Sequence, residues 1–316
     1  MTGRGENMPY ALKRLLHLIP ILFGITFISF AMMRAAGGDA VTQKMQNTGM
    51  AATREAIDAE RRGLGLDKPF IVQYLAWLRG VMRGDLGKSH LNGRDVFRTF
   101  VSKLPATFAL ASLSLALTAA VSLPLGVCAA VHRGTPLDRA IRLLSFLGNS
   151  APNFFTALLL MYFFCVKLRL LPVISPHVTA KGALLPAATL TAAMSSKYIR
   201  QVRAVVLDEL GKDYVSAAAA RGISFPRVLR SVLRSCLAPL ITLFALSAGS
   251  LLGGVAIVES IFMWDGVGRL AVSAINMRDY PMIQAYVMWM AVIYVCANLF
   301  ADIACSLADP RVKERG

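Results

Sequence analysis

Gly87-Lys88-Ser89 has the residue types that close a phosphate-binding loop, where backbone amides cradle phosphates, a lysine reaches the outer phosphate and a hydroxyl holds magnesium. Such a loop needs a glycine five residues before Gly87, and Met82 stands there. Gly266-Val267-Gly268-Arg269-Leu270-Ala271 matches a dinucleotide fingerprint by letter, but that chemistry requires a preceding strand, and an apolar run of membrane-helix type precedes it here. A turn is expected instead. Cys128, Cys165, Cys236, Cys296 and Cys305 show neither CxxC spacing nor a cluster with His17, His90, His132 or His177, so they read as small hydrophobes rather than metal ligands. Met277, Met282, Met288 and Met290 suit flexible packing better than soft-metal contacts. Glu259 and Asp302 fall near the ends of apolar runs, where interfacial solvation or a structural ion pair is expected. No Ser/His/Asp set and no paired carboxylates stand out, and the chain is expected to catalyse nothing and to bind no cofactor itself.

The elements that must position these residues are set by composition. Of 316 residues 56% are hydrophobic and 16% charged, with mean hydropathy +0.56, against about 25% charged in soluble domains. A net charge of +16 would suit a nucleic-acid binder if it were concentrated on one folded face, but the basic residues are distributed between long apolar runs. That is a membrane pattern, and no nucleic acid is expected as a partner.

A bilayer core about 30 Å thick takes roughly 20 helical residues to cross. Six apolar runs approach that length: Leu15–Met33, Ala106–Val131, Leu143–Val166, a weaker Ala- and Thr-rich Ala183–Ile199, Leu237–Phe262 and Met282–Leu307. The first resembles a signal peptide but is longer than the usual apolar stretch of one, and is kept as a retained helix. Pro124, Pro152 and Pro186 lie within runs, as membrane helices tolerate. Ala111, Ser112, Ser114, Gly249, Gly253 and Gly254 would let helices approach closely. The fold expected is an all-α polytopic membrane protein of six transmembrane helices.

Basic residues in short loops set orientation. With the N-terminus inside, seventeen lie in short cytoplasmic segments (Arg4, Lys13, Arg14, Arg133, Arg139, Arg142, the eight from Lys197 to Arg234, Arg311, Lys313, Arg315) and five in short outer loops (Lys167, Arg169, Lys181, Arg269, Arg278). Both termini are therefore expected in the cytoplasm. The organisation expected is a tail and first helix over 1–33, a small extracytoplasmic domain over 34–105, a five-helix core over 106–307 and a cytoplasmic tail over 308–316. Within the core, residues 200–235 form a cytoplasmic loop of short amphipathic helices, with Val205, Val206, Leu210 and Tyr214 at helical spacing, an alanine run and a break at Gly222.

In that loop Asp213-Tyr214-Val215-Ser216-Ala217-Ala218-Ala219-Ala220-Arg221-Gly222, with Pro239 beyond, resembles the EAA loop of binding-protein-dependent ABC importer permeases. Ser216 stands where the motif usually has Glu, while Ala217, Ala218 and Gly222 match. The resemblance covers nearly the whole chain: the run from Tyr10 to Pro20, Gly38-Asp39, Leu64-Gly65-Leu66-Asp67, Val72-Gln73-Tyr74, Gly84-Asp85-Leu86-Gly87, Leu104-Pro105-Ala106-Thr107, Arg278-Asp279-Tyr280-Pro281 and Asp309-Pro310-Arg311 look like the first permease of dipeptide, oligopeptide and nickel importers.

The resemblance implies a non-catalytic subunit of the bacterial inner membrane that forms half of a translocation path. It would pair with a second homologous permease, two ATP-binding subunits carrying ATP and Mg, and an extracytoplasmic substrate-binding protein. Asp213, Tyr214, Ser216, Ala217, Ala218, Arg221 and Gly222 would form the ATPase-coupling site. Alanines favour helix and permit close docking there, and Gly222 would end the helix. The cargo implied is nickel, free or chelated, or di- and oligopeptides, with residues 264–284 closer to the nickel branch. The rival classes are an ion-coupled secondary transporter, which calls for an internal repeat and midplane ionisable sites that the sequence does not display, and a membrane-embedded enzyme.

Overall fold

A computed structural model of the chain describes residues 10–35, 54–63, 65–172 and 179–308. The terminal tails, Gly38-Asp39, Leu64 and the side chains of Asp302 and Cys305 lie outside the described residues. The described elements are helical: α1 (Tyr10–Ala35), α2 (Arg54–Gly63), α3 (Phe70–Met82), α4 (Val96–Val131), α5 (Pro136–Ser150), α6 (Asn153–Met161, continued by a π-helical stretch Tyr162–Lys167), α7 (Ala180–Leu210), α8 (Asp213–Ala220), α9 (Phe225–Ile261), α10 (Val267–Asn276) and α11 (Tyr280–Ala308). The chain is an all-α polytopic membrane protein.

By length and apolarity three of the described helices can cross a membrane on their own, namely α4, the Phe225–Ser247 part of α9 and the Tyr280–Leu299 part of α11. The run Leu143–Val166, expected as one span, is instead broken. It is divided between α5 and the helix from Asn153 to Lys167, which meet at 99°. Ala151, placed before Pro152, is extended at φ −81° and ψ 126°, as the proline ring's clash with the preceding residue favours. The run Ala183–Ile199 lies inside α7, which is less apolar than those three helices. Its Thr189, Thr191, Ser195 and Ser196 are buried. A helix surrounded by other helices can carry hydroxyls that a lipid-facing helix cannot.

The stretch 200–235 also departs from expectation. No breaker lies between Ile199 and Leu210, so α7 continues to Leu210; α9 already begins at Phe225, with a proline at its start. Only α8 remains as a separate short helix, bounded by Gly211 and Gly222.

The described chain divides into two compact units. In the unit made of residues 1–105 and 266–295, Phe23, Phe27 and Phe30 of α1 meet Phe70 and Tyr74 of α3 edge-on, with ring centroids 5.3–6.0 Å apart. Trp289 of α11 stacks on Phe100 at 6.1 Å, beside a core of Leu86, Val96, Ala274, Met282 and Ala285. The Gly87-Lys88-Ser89 sequence has a structural role here. Buried Ser89 donates its hydroxyl to the buried Asp279 carboxylate, and the His90 amide donates to the other oxygen at 3.1 Å. Gly266 precedes the first turn of α10, as expected of a turn rather than a nucleotide loop.

In the other unit, residues 106–265 and 296–316, α7 packs against α5, α6 and α9. Two glycines set close approaches to it. A Cβ on Gly126 of α4 would lie 2.6 Å from the Val202 Cβ and 3.0 Å from the Ile199 carbonyl, and one on Gly148 of α5 would lie 2.1 Å from the Ser196 hydroxyl. Two apolar clusters line α7 along its length. One is built on Leu110, Ala187, Leu190, Val255, Val258 and Trp264, the other on Val202, Val206, Val228, Val232, Cys236 and Leu240.

Of the two roles expected of Glu259, a structural ion pair or solvation at an interface, its burial excludes the second. The residue is fully buried and accepts a hydrogen bond from Thr107 Oγ1 at 2.7 Å. The chain turns back directly over it: the Trp264 amide donates to the Glu259 carbonyl at 2.8 Å, and the Trp264 indole donates to the Ala106 carbonyl at 2.9 Å. This turn joins the end of α9 to the Ala106-Thr107 segment of α4.

Candidate functional site

The alanine run forms two turns of helix, α8, too short to be stable alone in water. Its stability must come from what holds its two ends and its inner face. At the N-terminal end, Glu209 in the last turn of α7 accepts a hydrogen bond from Tyr214 Oη at 2.9 Å and another from the Lys212 ammonium. Burial pushes the Glu209 carboxyl up, but hydrogen bonds from Lys212, Tyr214 and Ser235 outweigh it and hold the group below its ordinary range. The same pairing raises Lys212, whose first cause is the Glu209 hydrogen bond. Tyr214 is raised by burial first and by Glu209 second, so its hydroxyl stays protonated as the donor.

At the C-terminal end the Ile223 amide donates to the Ala218 carbonyl at 3.1 Å and the Gly222 amide to the Ala219 carbonyl at 2.9 Å. Gly222 has φ +74°. This pair of bonds around a left-handed residue is the Schellman closure, and the conformation is open to glycine at little cost.

The inner face of α8 is Val215 and Ala218, which belong to the apolar cluster of Val202, Val206, Val228, Val232 and Cys236. Ala218, expected at the docking surface, is buried against the chain's own α7 and α9. Asp213, Ser216, Ala217, Ala219, Ala220 and Arg221 are exposed, and the surface continues through Ile223 and Phe225, the latter 52% exposed. The structure thus brings the seven expected coupling residues together but divides their work. Tyr214, Ala218 and Gly222 fasten the helix, while Asp213, Ser216, Ala217 and Arg221 are exposed. The outward surface combines small side chains with the charges of Asp213 and Arg221.

Sequence reasoning missed the fastening that lies behind this surface. Asp138, fully buried near the start of α5, receives both Arg203 Nε and Nη2 at 2.8 and 2.9 Å, with Arg142 Nε at 3.3 Å and the Gly134 amide at 3.0 Å. Arg203 lies in α7, two turns before Glu209. The clamp therefore fixes α5 to the same helix that carries α8. One local signal was present: Thr135, three residues before Asp138, caps α5 by accepting the Asp138 amide at 3.4 Å. Glu209 had no comparable signal.

Comparison with known proteins identifies the family. The model of the binding-protein-dependent transport system inner membrane component matches residues 122–314, and that of the N-terminal membrane component of such systems matches residues 8–111. The chain is 37% identical over 315 residues to the oligopeptide transport system permease protein AppB of Bacillus subtilis, covering 96% of this chain and 99% of that one. It is 36% identical to the glutathione transport system permease protein GsiC of Pectobacterium atrosepticum, over 96% and 98%, and 32% identical to the di/tripeptide transport system permease protein DppB of Pseudomonas aeruginosa, over 98% and 99%. Among solved structures, an inward-facing form of the MetNI methionine ABC transporter superimposes with TM-score 0.57 at 16% identity, over 67% of this chain and 97% of that one, a likeness of fold alone.

Proposed function

We propose that this chain, which belongs to the family of binding-protein-dependent transport system inner membrane components and is a permease subunit of an ATP-driven importer, carries short peptides. The observation that supports the cargo is the likeness over nearly the full length to three permeases named for oligopeptides, glutathione and di- or tripeptides. Those names favour the peptide branch, so the leaning of residues 264–284 toward nickel is set aside. A second permease would complete the path, and a substrate-binding protein would deliver the peptide from outside. Hydrolysis would belong to two ATP-binding partners that hold ATP and Mg, leaving this chain without a catalytic step. The excess of basic residues in the short loops on one side supports a topology with both termini in the cytoplasm, on the side of those partners.

The coupling reading follows from the fastening of α8. A two-turn helix tied to α7 by Glu209, Lys212 and Tyr214, capped at Gly222 and bedded against α7 and α9 through Val215 and Ala218, would transmit a push with little deformation. The exposed Ser216, Ala217, Ala219 and Ala220 would enter the ATPase cleft, and Arg221 would meet acidic groups at its rim.

The cargo is tested by uptake. The chain, assembled with its partner subunits and binding protein in proteoliposomes, should accumulate labelled di-, tri- and pentapeptides only when ATP is supplied. Accumulation of nickel or a nickel chelate with peptides ignored would overturn the cargo. Peptide accumulation driven by an ion gradient without ATP would overturn the importer reading itself.

A further inference from the structure

α3 is more apolar than a helix of a water-exposed domain should be. Two adjoining apolar stripes run along it, each at helical spacing. Phe70, Tyr74, Trp77 and Val81 face the protein: the first three meet the α1 aromatics, and Val81 joins the core around Leu86 and Val96. Ile71, Leu75 and Met82, with half-buried Leu78 between them, form the other stripe; the first three are 50%, 52% and 75% exposed. Between Phe70 and Met82 the only polar side chains besides the aromatic ones are Gln73 and Arg79. Gln73 turns back to donate to the Leu66 and Lys68 carbonyls at 3.1 and 2.6 Å.

The contact with α1 sets how deep α3 lies. The uncharged run of α1 ends at Arg34, and Thr26 stands eight residues before it, about 12 Å along the helix axis. The buried hydroxyls of Thr26 and Tyr74 pair at 3.1 Å, and Tyr74 also reaches toward the Phe23 carbonyl at 3.4 Å. Half a hydrocarbon core is about 15 Å thick. Tyr74 therefore sits well inside it, and its hydroxyl has the partner that such a depth demands. The α1 surface beside this contact is itself apolar and exposed at Ile21, Phe23, Ile28 and Met32, so the stripe on α3 continues a face that a spanning helix presents to lipid.

We infer that α3 is an intramembrane helix lying in a single leaflet, with Ile71, Leu75 and Met82 in contact with lipid acyl chains. Thirteen residues span about 20 Å, too short to cross, so the chain enters and leaves on the Arg34 side of the membrane. Lys68 and Arg83, placed immediately outside the two ends, sit at the headgroup level. The segment following α1 is on this account a membrane-anchored collar rather than a water-borne domain.

Nitroxide labels on cysteines introduced one at a time test this. The five natural cysteines are replaced by alanine, and the full chain is assembled with its partners in phospholipid bilayers. Collisions with lipid-soluble oxygen and with a water-soluble nickel chelate are then compared at Ile71, Leu75, Met82 and, as a water-facing reference, exposed Arg94. The expected result is an oxygen-to-chelate ratio several-fold higher at the three α3 positions than at Arg94. A ratio at Ile71 and Leu75 equal to that at Arg94 overturns the inference in favour of a soluble domain. Exclusion of both reagents at those positions overturns it in favour of a covering protein subunit. Neither outcome bears on the cargo or the coupling helix.

Discussion

Asp138→Ala should destabilise the α5–α7 end of the bundle more than any exposed substitution, costing about 3–5 kcal/mol, because it strips a largely buried guanidinium of its bidentate partner. The Arg203 side chain is only 18% exposed, so water cannot replace the carboxylate cheaply. Arg142→Met should cost less than about 1 kcal/mol, since that arginine is half exposed and holds Asp138 at 3.3 Å by one edge. The paired change Asp138→Leu with Arg203→Met should recover much of the loss, as removing a buried pair together is far milder than breaking it. Reversible unfolding of the purified chain in mixed micelles reads all three. Equal losses for Asp138→Ala and Arg142→Met would show that the clamp is not the buried pair described here.

Gly126→Val should be nearly as damaging. Its first added carbon would meet the Val202 Cβ at 2.6 Å and Cγ1 at 2.7 Å, with the Ile199 carbonyl at 3.0 Å behind them. Two of these atoms are branched side chain and one is backbone, so α4 and α7 must move apart. Overpacking typically costs about 1–3 kcal/mol, and this site belongs at or above the upper end because neither partner can rotate away. Gly148→Ala provides the contrast. The nearest atom there is the Ser196 hydroxyl, at 2.1 Å, which now donates to the Ala192 carbonyl and can turn to another rotamer. Thermal inactivation of assembled complexes should rank Gly126→Val well below Gly148→Ala. The reverse order would mean that α4 and α7 do not approach as closely as Gly126 indicates.

Both predictions concern α7, and that helix shows what a single sequence displays and what it hides. Apolar runs and basic loops were enough to read an all-α polytopic membrane protein, since lipid imposes those patterns locally. The alanine run and Gly222 were also legible, because helix propensity and a left-handed terminus are local properties. The break at Pro152 was written in the Ala151-Pro152 pair, but proline is tolerated often enough in membrane helices that the run was read as continuous. α7 had the weakest hydropathy for the reason that it is internal, so its importance ran opposite to its signal. Asp138 and Arg203 are 65 residues apart, Thr107 and Glu259 are 152 apart, and Ser89 and Asp279 are 190 apart. Each pair depends on tertiary packing, and neither member announces the other. The inward turn of Ala218 was hidden similarly: four consecutive alanines give no hydrophobic stripe by which to tell the bed from the docking face.

The central claim is that α8 is the joint through which nucleotide-driven motion enters this chain, and paired assays of ATP hydrolysis and peptide uptake test it most directly. Ala217→Trp or Ala220→Trp enlarges the exposed face while leaving Tyr214, Ala218 and Gly222 to hold the helix in place. The account predicts complexes that bind peptide-loaded binding protein normally yet lose peptide-stimulated hydrolysis and uptake together. Full stimulated hydrolysis and full uptake with either tryptophan in place would contradict it, and the coupling surface would have to lie elsewhere on the chain.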